Sequence, residues 1–300
     1  MIYVNLRGNL GNQMFEYAIA RKLQEDYGQK ICINYYNIAH SKSDYTCLLN
    51  NYKLNDGVVF EFENRLPFFA DSQRLILRIL RKFFPMITYN VLKKLGIFVW
   101  HGNRYVEIPK KYHKDFYIDG YFQSEKYFSS IKNIIKDEFT LKNEKEIKET
   151  EIYKKIINDD VTCVSVRRGD YVTNDKYKNI FYVCDEKYFK DAFKYLEEQK
   201  FNKSLMICSN DINWVRDNFN LGNLCYYEDE SMNSVENLFI MSCCNNFVIS
   251  NSTYNWWAQY LCDNPKKRVI APSIWFRNGE MTDIYQDFWE LIEIKEGVTK

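Results

Sequence analysis

The chain has 300 residues, enough for one large or two modest domains, and its 46% hydrophobic and 27% charged residues exclude collagen-like, low-complexity and wholly disordered readings. Lys and Arg number 41 against 40 Asp and Glu, a net charge of +1 that lacks the basic excess of a nucleic-acid binder. The opening MIYVNLRGNLGNQ lacks the apolar core and cleavage site of a signal peptide, no apolar run approaches the ~18 residues of a membrane span, and nine cysteines without a CxxC pair fit a reducing cytoplasm.

Short apolar runs rich in β-branched and aromatic residues recur at 2–6, 31–36, 116–120, 161–166, 205–208, 224–227, 247–250 and 269–274. They are continuously apolar, as strands covered on both faces are. Segments of helical period lie between them, at 12–27, 185–199, 234–243 and 254–262. This alternation predicts an α/β fold. Residues 72–106 carry Arg74, Arg78, Arg81, Lys82, Lys93, Lys94 and Arg104 without an acid, interleaved with Leu75, Leu77, Leu80, Phe83 and Phe84, and read as a basic helical insertion. The favoured reading is a solvated helical face; the alternative is a surface resting on anionic membrane. The polar stretch 141–151 divides three strand runs from five, which marks a boundary between domains 1–150 and 151–300. His40, His101 and His113 show no metal-ligand spacing, and no structural metal is expected.

Four runs could carry chemistry. The strand run 161–166 ends in Arg167, Arg168, Gly169 and Asp170. Adjacent strand residues point to opposite faces, so two arginines serve one ligand only where the strand ends and the chain turns, a turn that Gly169 permits. Guanidiniums beyond the carboxyl end of a parallel strand suit a phosphate or diphosphate; an Asp170 salt bridge that merely closes the strand end is the competing explanation. The run 247–250 leads through Ser250, Asn251, Ser252 and Thr253 into an aromatic helix, either an anion site at a helix N-terminus or simple caps, with Trp256 and Trp257 read as core. Gly8 and Gly11 flank a loop after the first strand that is neither a dinucleotide fingerprint nor a Walker loop. Ser209, Asn210 and Asp211 end another strand, where the carboxylate either caps a helix or accepts from a guanine ring.

Together these runs resemble a family. The Gly8 to Phe15 loop, GYFQSEKYF from Gly120 to Phe128, RRGDY and SNSTYNWW occur in the order seen in α-1,2-fucosyltransferases of glycosyltransferase family eleven, across residue 1 to about 276. The resemblance implies a GT-B-like fold of two Rossmann-like domains facing a cleft: an acceptor-side domain 1–150, and a GDP-fucose-binding domain 151–300 whose last helix packs back on the first. It implies transfer of L-fucose from GDP-L-fucose to the 2-hydroxyl of a galactoside, with inversion, without a cofactor or metal, in a cytoplasmic protein that builds bacterial surface polysaccharide. Arg167 and Arg168 become diphosphate contacts, Ser250, Asn251, Ser252 and Thr253 a second phosphate contact, Gly11 and Asn12 neighbours of the donor, and Asp211 the guanine reader. Asn210 stands where the family is often acidic, and Ser165 where it commonly has histidine. Asp170, Asp119 and Glu16 are the candidate bases for the acceptor hydroxyl. A fucosyltransferase of another linkage and a non-catalytic GDP-sugar-binding protein are the alternatives.

Overall fold

Buried apolar runs separated by helices can pair only in parallel, and every ladder joining the eleven strands among the described residues of this computed structural model is parallel. The structure describes residues 1–40, 45–63, 74–108, 113–201, 203–219, 225–229 and 231–294. The chain divides into two compact units, Met1–Lys142 and Asn143–Lys300. The division falls at the start of the polar stretch, which is itself folded into the short helices Glu144–Lys148 and Glu151–Ile157.

The first unit holds β1 (Ile2–Asn5), β2 (Ile31–Asn34), β3 (Val58–Glu61), β4 (Ile97–Val99) and β5 (Phe116–Asp119) in the order β3-β2-β1-β5-β4. Helix α1 (Leu10–Tyr27) starts two residues before the predicted 12–27, because the Asn9 side chain caps the Leu10 N–H, and it ends at Gly28 in the left-handed conformation. Gly11 therefore lies inside the helix rather than in a loop. β3 and β4 were not predicted. Both are edge strands of three or four residues, and β4 is hidden within the basic stretch.

That stretch is more than a helical insertion, although Arg74, Arg78 and Lys82 are exposed to solvent as expected. Its described part folds as α2 (Leu75–Phe83), α3 (Pro85–Leu92) and a turn that re-enters the sheet as β4; residues 72 and 73 lie outside the described residues. Leu77, Tyr89 and Leu92 anchor it inward, while most of its other large apolar side chains are exposed.

The second unit holds β6 (Val161–Val166), β7 (Ser204–Ser209), β8 (Cys225–Tyr227), β9 (Asn246–Ile249), β10 (Val269–Pro272) and β11 (Glu290–Ile292). Leu224 of the predicted 224–227 run lies outside the described residues. The order is β11-β10-β9-β6-β7-β8, so the chain steps outward from β6 to β8 and then returns to β9 on the opposite side. This is the doubly wound arrangement, whose switch point lies between β6 and β9. Five helices concern the site: α4 (Gly169–Thr173), α5 (Glu186–Glu198), α6 (Ile212–Asn218), α7 (Ser234–Ser242) and α8 (Thr253–Leu261). Helix α5, capped by Asp185, lays Tyr188, Phe189, Ala192 and Leu196 on Val164, Leu205, Ile207 and Val248 of the sheet. Trp256 and Trp257 are fully buried core residues, and the Trp256 indole N–H donates to the Ile284 carbonyl at 2.8 Å. Beyond α8 the described chain contains no further helix and ends in β11; α8 packs on α7 and β9 of its own unit.

Candidate functional site

In the second unit the predicted residues converge on the switch point. Arg167 and Arg168 follow the last residue of β6, and Ser250 follows the last residue of β9. The Arg167 N–H donates to Ser250 Oγ at 3.0 Å, and that hydroxyl donates to the Ser165 carbonyl at 2.6 Å, which pins the two strand ends together. The Arg168 N–H donates to Asn210 Oδ1 at 2.9 Å, pinning the exit of β7 as well. Gly169 makes the turn at φ +28, and a Cβ there would lie 2.0 Å from Asn210 Nδ2, so both backbone conformation and space demand glycine.

Each guanidinium is held by one carboxylate and one ring. Arg167 Nη2 donates to Asp170 Oδ1 at 2.6 Å and its guanidinium lies 5.3 Å from the Tyr171 ring centroid. Arg168 Nε donates to Asp211 Oδ2 at 3.1 Å and its guanidinium sits 3.7 Å over the Trp214 ring. These contacts hold both guanidiniums in place while leaving N–H donors available on each. Asp211 is occupied on both sides, because its other oxygen caps α6 by accepting from the Trp214 N–H at 3.4 Å. Its capping role is thus present alongside the arginine pair.

The turn before α8 divides its labour. Asn251 Nδ2 donates to the Phe181 and Trp275 carbonyls, each at 2.8 Å, so this side chain ties loops together. Ser252 occupies the N-cap position of α8 but its hydroxyl caps nothing. At the position where the family commonly has histidine, Ser165 Oγ donates to Asn255 Oδ1 at 2.6 Å. The buried Asn255 Nδ2 has no hydrogen-bond partner.

Gly11 and Asn12 belong to the first unit. There, a separate polar cluster lies where β1 and β5 end, at the switch point of the other sheet. The Arg7 guanidinium grips both oxygens of Asp119, through Nε and through Nη2 at 3.0 Å. Asp119 is 1% exposed. The Arg7 N–H donates to Glu16 Oε2 at 2.9 Å, whereas the buried Glu16 Oε1 has no hydrogen-bond partner. Burial pushes the Glu16 carboxyl well above the usual carboxylate range; the Arg7 N–H and charge oppose this, and Asp119 adds to it. His101, two residues past β4, places Nε2 3.9 Å from Asp119 Oδ1 with 35% of its side chain exposed. Burial pushes this imidazole down to about 4, with Arg7 and Arg81 acting in the same sense and Asp119 opposing. Asn12 Oδ1 accepts from Gln123 Nε2 at 2.9 Å, and Gln13 clamps the preceding loop through the Gly8 and Thr46 carbonyls.

His101 was overlooked in the sequence because the strand that delivers it was overlooked. An Ile-Phe-Val triplet after Gly96, ending in Trp-His-Gly, was the available signal.

Residues 1–293 match the family model of glycosyl transferase family 11. The O-antigen biosynthesis glycosyltransferase WbnK of Escherichia coli is 27% identical over 318 residues, 96% of this chain and 99% of that protein. An α-1,2-colitosyltransferase of the same species is 25% identical over 98% of this chain and 99% of its own length. Galactoside α-(1,2)-fucosyltransferase 2 of Sus scrofa is 26% identical over 54% of this chain. Among solved structures, NodZ α-1,6-fucosyltransferase soaked with GDP-fucose aligns with a TM-score of 0.56 at 12% identity, over 91% of this chain and 94% of its own. POFUT1 in complex with GDP aligns with a TM-score of 0.51 at 13% identity, over 91% and 98%. The shared fold is GT-B-like, built from two Rossmann-like units.

Proposed function

The chain belongs to glycosyl transferase family 11, and from that premise we propose that it moves L-fucose from GDP-β-L-fucose to the 2-hydroxyl of a terminal galactose, inverting the anomeric carbon. The observation that carries this reading is the pair of guanidiniums fixed at the β6 exit. As GDP departs, the bond from the anomeric carbon to the β-phosphate oxygen breaks and negative charge builds on that oxygen. Preorganised cations beside it lower the barrier. Arg167 and Arg168 supply that charge where other enzymes use a divalent ion. Ser252 at the start of α8 is the phosphate contact of the turn, while Ser250 and Asn251 hold the loops. Asp211 holds Arg168 and caps α6 with one contact per oxygen, and the remaining lone pairs of its part-exposed carboxylate are assigned to the guanine ring's N–H donors.

The acceptor hydroxyl attacks from the face opposite the leaving group and gives up its proton. Asp170 is engaged by Arg167, and Glu16 is fully buried with its carboxyl raised well above the usual carboxylate range. Asp119 is buried too, but His101 beside it reaches the surface. We assign the proton to His101 Nε2, the part-exposed acceptor of this cluster, with Asp119 offsetting only part of the cost of charging the imidazole.

A second reading concerns the donor. The α-1,2-colitosyltransferase relative spans nearly this whole chain, which favours testing a sugar that lacks the 3-hydroxyl of fucose. The experiment is an assay of the purified protein in EDTA with GDP-fucose or GDP-colitose against a galactoside panel including lactose, followed by linkage analysis. Fucose on the galactose 2-hydroxyl is the expected product. A different linkage overturns the regiochemistry, and tight GDP-fucose binding without transfer to any acceptor supports a non-catalytic GDP-sugar-binding protein instead.

A further inference from the structure

Helix α2 is strongly amphipathic, and its apolar arc and most of its basic residues are exposed alike. At about 100° per residue, Leu75, Ile76, Ile79, Leu80 and Phe83 of α2 fall within an arc of about 140°, and that arc points outward. Leu75 is 71% and Phe83 65% exposed. Arg74, Arg78 and Arg81 lie on the opposite arc with Leu77, the only buried residue of the helix. The apolar surface continues through Phe84, Met86, Ile87, which is 64% exposed, Val91 and Leu95. Ten large apolar side chains thus adjoin one another along the chain, on a fold whose cores are elsewhere well filled. A soluble surface rarely carries so large a patch without a partner.

The charge around the patch identifies that partner. Arg74, Arg78, Arg81, Lys82, Lys93 and Lys94 lie in the same segment, which holds no acid, although the whole chain is close to neutral. A second copy docking on this face would set each basic row near its own image, and like charges oppose that pairing. An anionic lipid surface answers both features: acyl chains receive the apolar ridge and headgroups pair with the basic residues. No helix among the described residues is long and apolar enough to cross a membrane, so this surface lies on a bilayer rather than spanning it.

We propose that α2, α3 and the turn after them form a peripheral docking surface for anionic phospholipid membranes. The proposal stands apart from the transferase reading, since lipid binding is measured with no sugar present. The test is flotation of the full chain with vesicles of phosphatidylcholine alone or with phosphatidylglycerol, at low and high salt, alongside sedimentation to measure oligomeric state. The variants are Ile76→Ser/Phe83→Ser/Ile87→Ser, at exposed positions, and Arg78→Gln/Lys82→Gln. Circular dichroism and GDP binding verify that both remain folded. Binding is expected to anionic vesicles, weakened by salt, with a loss of at least about tenfold in partitioning for either variant. Absence of binding overturns the proposal, as does equal binding to neutral vesicles. A dimer that the triple substitution dissociates, in a chain that ignores vesicles, assigns the face to self-association and overturns it as well.

Discussion

Replacing Arg167 with alanine separates catalysis from folding. Its ion pair with Asp170 is solvent-accessible, with side chains 37% and 36% exposed, and such a pair contributes about 0–1 kcal/mol to stability. For a chain of this size the melting temperature should fall by no more than about 4 °C. The same guanidinium is assigned to the leaving phosphate, where loss of a single charge-stabilising donor costs about 2–4 kcal/mol of transition-state energy. That corresponds to a drop of about 30- to 1000-fold in kcat. Initial rates with GDP-fucose and a thermal melt give both quantities, and calorimetric titration with GDP checks that the variant still binds nucleotide. A kcat within threefold of the parent, in a variant that still binds GDP, would refute the phosphate assignment. Asp170→Asn is the companion measurement. A residue that only orients Arg167 should cost less than about tenfold when neutralised, whereas a general base would cost about 10²- to 10⁴-fold.

His101→Gln is expected to lose about 10²- to 10⁴-fold in kcat, and the parent should lose kcat/KM as pH falls through about 4, because the imidazole accepts a proton only while neutral; an acid limb near 6.5 would contradict the burial argument. Glu16→Gln acts on stability. The folded carboxyl is raised, so its contribution is fully present below about pH 4.3 and declines as pH rises and the unfolded chain ionises. The variant should therefore gain on the parent in urea midpoint from pH 5 to 8, and parallel profiles would disprove the buried-acid reading. Gly169→Ala forces a Cβ toward Asn210 at positive φ; a loss of about 1–2 kcal/mol is expected from the backbone alone, together with reduced activity as the Arg168 N–H contact shifts, and an unchanged thermal melt with full turnover would exclude strain there.

The central strands of both sheets were legible because strands buried on both faces must be continuously apolar, as Val161–Val166 is. Edge strands face no such demand. β3 exposes Val59 and Phe60, and β11 has only three residues, so neither stood out from loop sequence. β4 is buried, but its three residues follow a basic run whose helical period dominates the local pattern. The arginine pair was readable from its position at a strand end, and so was the turn of Gly169. What local sequence did not disclose was which acid each arginine takes, since the Arg168 partner lies on a different strand exit, 43 positions away. The Arg7, Asp119 and His101 cluster is assembled wholly by sheet order, bringing residues after β1 and β4 to the last residue of β5.

On the proposed assignment, the paired carboxylates of Asp170 and Asp211 would set how tightly the donor is held. An arriving diphosphate meets guanidiniums that are already neutralised, so it gains only the difference between two anions rather than the attraction of a bare cation. Ground-state grip on the nucleotide sugar and on spent GDP is restrained alike. The charge that moves onto the β-phosphate oxygen as the bond breaks meets the same paired groups, so on this assignment the pairs serve turnover chiefly by fixing the donors in place rather than by gripping substrate or product.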